Sequence, residues 1–130
     1  MLSLSITGFH PDPDRVTDIL GIAPTSVARK GDLRPSGRAF DFNGWWVEVH
    51  PAKLTEGQTH SVGLAQIINL LRGRAAAFAT LWTELQPRAV TIYGGLYHQG
   101  DEQCGIWLDP EDMGILAECG IGWGLDIHSE

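Results

Sequence analysis

The stretch LSLSITGFHPDPDRVTDILGI, residues 2–22, decides how this chain folds. Leu2, Leu4 and Ile6 alternate with Ser3, Ser5 and Thr7, the period of a strand with one buried face, and that strand runs to about Gly8. Asp12 then offers a carboxylate as N-cap. Pro13 suits the first helical position, where its missing N–H has no intrahelical partner, and Gly21 stops the helix. Val16, Ile19 and Leu20 fall at helical spacing between those caps. A half-buried strand running into one short helix needs a further layer to cover it, so the remaining strands and helices must supply the core.

Downstream, SVARKGD (26–32) reads as a short strand and LRPSGRAFDFNG (33–44) as a loop rich in Gly, Pro and Asn. In WWVEVH (45–50) the alternation sends Trp45, Val47 and Val49 to one face and Trp46, Glu48 and His50 to the other. From Ser61 to Gln86, Leu64, Ile68, Leu71, Ala75, Phe78, Trp82 and Leu85 form an apolar helical stripe. Gly73 costs about 1 kcal/mol relative to Ala inside a helix, so a kink or break is expected there. Pro87 ends the helix, and RAVTIYGGLY (88–97) opposes Val90 and Ile92 to Thr91 and Tyr93. The loop HQGDEQ (98–103) leads by a hairpin into a strand at CGIWLD (104–109). There Cys104, Ile106 and Leu108 oppose Trp107. Asp109, Pro110 and Gly120 repeat the cap, start and stop of the first helix. GWGLDIHSE (122–130) ends the chain as a strand alternating Trp123, Leu125 and Ile127 with Gly124, Asp126 and His128. The order β-α-β-β-α(α)-β-β-α-β is not the regular alternation of a doubly wound sheet. It predicts an α+β fold: a mixed, largely antiparallel sheet with helices packed on one face.

Several short motifs in this order resemble the bacterial family known as domain of unknown function 4279. They are Phe9 to Pro11 at the end of the first strand, LGIAPT (20–25), KGD (30–32), Gly44 to Trp46, the leucine-rich helical region 64–85, LDPE (108–111) and GLDI (124–127). The resemblance covers nearly the whole chain. It departs at Gly73, where the family usually has Pro, and at His128, where it favours an acid or an aromatic. It implies a fold and no reaction; by analogy alone, it points toward immunity proteins of bacterial toxin systems. Most of these motifs also have local structural work to do, as helix stops, turns and helix starts.

Length and charge set the outer limits. The 130 residues suit one domain over 1–130, burying about two-thirds of its unfolded surface. Nine Lys and Arg against 16 Asp and Glu give −7, the opposite of a nucleic-acid binder's footprint. The imbalance is lopsided, +1 over residues 1–74 and −8 over 75–130. Neither a membrane span nor an export signal is evident, so a cytoplasmic location is expected. Cys104 and Cys119 form no CxxC pair and read as buried free thiols. Five histidines, His10, His50, His60, His98 and His128, make no metal-ligand spacing, and no nucleophile or phosphate-loop motif is present; neither a metal nor a cofactor is expected. Asp101-Glu102 and Glu111-Asp112 read as solvated surface and helix-start charge.

Two features remain. Arg29, Lys30, Arg34 and Arg38 stand against Asp32 in the loop, a basic cluster in an acidic chain, suited to an acidic partner or a phosphate group. The second is the face opposite the helices. If these cover Trp45, Val47, Val90, Ile92, Ile106 and Leu125, then Trp46, Glu48, His50, Tyr93, Trp107, Asp126 and His128 share the other. Aromatics inside a polar rim suit a recognition surface or a dimer interface; alternatively, the loop 32–43 folds across and buries them. The leading expectation is a non-enzymatic module binding a protein partner or a second copy of itself, with an immunity-like role as one form. The alternative is a small-molecule or metal-dependent enzyme using His50, Asp126 and His128 in a pocket roofed by the basic loop.

Overall fold

Strand β1 (Leu2–Thr7) is the middle strand of a five-stranded sheet. The computed structural model describes residues 2–50, 56–98 and 106–129, except for the side chains of 56–60, 96–98 and 129. After β1 come α1 (Pro13–Leu20), β2 (Ser26–Ala28), β3 (Gly44–Val49), α2 (Glu56–Leu71), α3 (Ala75–Leu85), β4 (Ala89–His98), α4 (Pro110–Cys119) and β5 (Gly122–Ser129). The spatial order is β2-β3-β1-β4-β5. β1 pairs antiparallel with β3 and β4, β2 antiparallel with β3, and β4 parallel with β5. Parallel neighbours need a crossover, and α4 lies in it. The fold is α+β with a mixed, mostly antiparallel sheet, as the pattern predicts.

The caps form where the sequence puts them. The Asp12 carboxylate accepts from the Asp14 N–H at 2.7 Å, and Gly21 ends α1 in the left-handed region at φ 66°. In α4 the Asp109 carboxylate accepts from the Asp112 N–H at 2.8 Å, and Gly120 closes at φ 72°. A side chain at Gly120 would also meet the Trp82 indole, whose Nε1 donates to the Cys119 carbonyl at 3.0 Å. The long helical pattern breaks at Gly73, which takes φ 73° and separates α2 from α3. Arg74 uses the break: its guanidinium donates to the Leu20 carbonyl at 3.0 Å and the Leu70 carbonyl at 2.7 Å, setting a cation against the C-terminal ends of α1 and α2. Arg72 reaches from the end of α2 to Glu111 on α4, and that hydrogen bond raises its pKa above the ordinary arginine value.

The core lies between one face of the sheet and the helices. Leu2, Leu4 and Ile6 of β1, Trp45 and Val47 of β3, and Val90 and Ile92 of β4 pack with Val16, Leu64, Ile68, Leu71, Phe78, Leu85 and Leu116. Trp45 Nε1 donates to Thr17 Oγ1 at 3.1 Å, so the largest core side chain keeps its polar atom satisfied by α1. The helical apolar face is wider than the stripe read from spacing, because Ile67 and Leu81 are buried while Ala75 and Trp82 are only half-buried. Cys119 is a buried free thiol whose pKa is pushed up by burial and by the Glu118 charge. Cys104 lies outside the described residues, as do Asp101-Glu102 and the hairpin turn expected after β4. Of the strand expected over 104–109, the described part, 106–109, carries no strand pairing and runs directly into the α4 cap. Ile106 and Leu108 still pack against the core from this irregular segment.

Candidate binding face

Register decides which side chains share the face away from the helices. Residues opposite one another in a ladder point the same way. Trp46 pairs with Ser5 and Ser26, and Ser5 with Thr91. One row further, Glu48 pairs with Ser3, Ser3 with Tyr93, and Tyr93 with Gly124. Beyond that, Gly95 pairs with Asp126 and Tyr97 with His128. Trp46, Glu48, Tyr93, Asp126 and His128 therefore occupy one side of the sheet, as expected, with His50 continuing the β3 alternation. Between Trp46 on β3 and Tyr93 on β4 lie the small residues Ser3 and Ser5 of β1, and beyond Tyr93 lie Gly122 and Gly124 of β5.

This face is open to solvent. Tyr93 is 46% exposed, Asp126, His50 and His128 are exposed, and Trp46 and Glu48 are half-buried. The Tyr93 hydroxyl donates to the Asp126 carboxylate, and His50 Nε2 lies 3.5 Å from Glu48. The Trp46 indole folds along its own strand over Gly44, where a Cβ would overlap the ring. The loop does not bury Tyr93, Asp126 or His128. It leaves the sheet at the Ala28–Gly44 end and closes on itself, Gly31 N–H to the Phe40 carbonyl at 2.9 Å and Phe40 N–H to the Asp32 carbonyl at 2.8 Å.

Other expected members are not brought together. Trp107 belongs to the irregular segment before α4, 84% exposed and outside the sheet, so it does not join the face. His50 follows β3 and Asp126 lies on β5, with β1 and β4 between them, three strand spacings or about 14 Å at ~4.8 Å per strand. That is beyond the reach of a shared proton or metal. The basic loop emerges at the opposite end of the sheet, so it does not roof them. Among the described residues no three His, Cys, Asp or Glu side chains gather as a metal set. The basic cluster also divides. Arg29 pairs with Asp14 at 3.2 Å, the Arg34 guanidinium sits 4.6 Å over the Phe40 ring, and Lys30 lines a cleft at the end of the sheet.

That cleft holds a residue that the sequence marks only as part of the loop 33–44. Asn43 is buried. Its amide donates to the carbonyls of Phe9 and Pro11 at 2.8 and 3.2 Å, its side-chain oxygen accepts from the Lys30 N–H at 2.8 Å, and its carbonyl accepts from Gly8 at 2.9 Å. It thus ties the β1–α1 turn to the basic loop. A sequence signal was present in Asn43-Gly44, but it is the signal of any turn.

The profile of the family described as Domain of unknown function (DUF4279) matches residues 1–130. The chain belongs to the DUF4279 family. The motifs of that family now have places: LGIAPT holds the C-cap of α1 and the turn into β2, KGD is the turn beside Asn43, and LDPE caps α4. No curated protein and no solved structure matches this DUF4279 chain. Among its described residues, no helix is long and apolar enough to cross a membrane.

Proposed function

We propose that this protein is a binding module whose helix-free sheet face takes up a basic protein partner. The observation that supports this most is the register that sets Trp46 and Tyr93 on one solvent-facing side with Glu48 and Asp126. A free sheet face needs only polar residues, whereas aromatic groups inside a polar rim suit the anchors of an interface. The −7 charge favours a cationic partner through long-range attraction, and an immunity-like role against a basic toxin is one form of this. Self-pairing of the same face would set like charges opposite each other, so a monomer is expected in the absence of partner.

The test has two parts. Sedimentation of the purified chain at micromolar concentration should give a monomer. Recovery of a basic partner from the native host should fall with added salt and be lost in Asp126→Lys, while Arg38→Ala, on the loop, keeps it. A dimer abolished by Asp126→Lys, or recovery indifferent to that charge reversal, would overturn the reading.

A further inference from the structure

We infer that the cleft at the opposite end of the sheet is a second site, built for a small phosphate monoester. It is lined by Gly8, Phe9, His10, Lys30, Asp41, Phe42, Asn43 and Arg88, with a volume of about 180 Å³. Drug-sized ligands occupy roughly 300–1,000 Å³, so this cleft suits something smaller.

Its charge is out of keeping with its surroundings. Arg88 is the only Lys or Arg of residues 75–130, and the fold brings it to the same cleft as Lys30 from the basic loop. The ion pairs formed by Arg15, Arg29 and Arg72 engage neither of them. Arginine offers a planar fork matched to phosphate oxygens, and lysine adds a compact charge. His10 stands on the same rim.

The positions are held by the backbone. Lys30 N–H is anchored by buried Asn43 at 2.8 Å, and the Arg88 N–H donates to the Thr7 and Gly8 carbonyls at 2.9 and 3.2 Å. Gly8 takes φ 73°, and a Cβ there would lie 2.6 Å from Arg88 Cβ, so the close approach of Arg88 needs glycine. Asp41, the one carboxylate among the described residues of the rim, repels a bare anion and accepts a hydrogen bond from a hydroxyl. The combination selects a phosphate carried on a hydroxylated group over free phosphate. This site is separate from the sheet face, and its fate does not depend on that of the proposed partner.

Calorimetric titration of the full chain at fixed ionic strength, with ribose 5-phosphate and with inorganic phosphate, tests it. Ribose 5-phosphate should bind with a Kd below about 1 mM and more tightly than phosphate. Arg88→Gln and Lys30→Gln, both at exposed positions, should each weaken it about tenfold or more, as loss of a charge-assisted hydrogen bond does. Asp41→Asn should tighten inorganic phosphate and narrow the gap between the two ligands. No saturable binding of ribose 5-phosphate, or equal binding by the folded Arg88→Gln variant, overturns the inference.

Discussion

Trp45 and Trp46 are consecutive in the chain and lie on opposite sides of the sheet. Trp45 is fully buried, packed under the helices with its indole N–H on Thr17. Trp46, half-buried, lies over Gly44 on the side away from the described helices. The pleat alone makes the difference, and it separates two demands on sequence. The inner face is specified by packing, so its residues are explained once the core is described. The outer face has no core to fill, and its aromatic and acidic residues call for a different cause, which we assign to a partner.

Substitutions at these two positions and at their neighbour bring out the contrast. The largest effect is expected for Trp45→Ala, which leaves a cavity in a closed core and should cost about 3–5 kcal/mol in chemical denaturation. A loss below about 1 kcal/mol would mean that the inner face is not the packed one. Next comes Gly44→Ala, whose added methyl overlaps the Trp46 ring and should cost about 1–3 kcal/mol. Much of that cost should vanish in Gly44→Ala/Trp46→Ala, because the ring that must move is gone. Additive single and double variants would contradict the placement of Trp46 along its strand.

Local signals made the caps, the strand faces and the helix break readable. Asp12-Pro13 to Gly21 and Asp109-Pro110 to Gly120 are written within a single helix each, and Gly73 breaks a stripe through its own backbone. Trp46, Tyr93 and Asp126 share a face that alternation predicts whatever the strand order. The order β2-β3-β1-β4-β5 itself depends on contacts between distant segments, which no local pattern contains. The same holds for Arg88, whose neighbourhood with Lys30 exists only after β1, β3 and β4 are assembled. Trp107 is the converse case. Alternation in CGIWLD imitates a strand, yet Ile106 and Leu108 reach the core from irregular chain that pairs with nothing in the ladder. Asn43 was hidden by its own commonness, since Asn-Gly marks a turn wherever it occurs.

The most direct test of an outer face kept for recognition is Trp46→Ala, with stability and partner recovery measured on the same preparation. Stability within about 1 kcal/mol of the unsubstituted chain is expected, as for a side chain outside the closed core, together with loss of the partner. A stability loss approaching that of Trp45→Ala, with recovery unchanged, would contradict it.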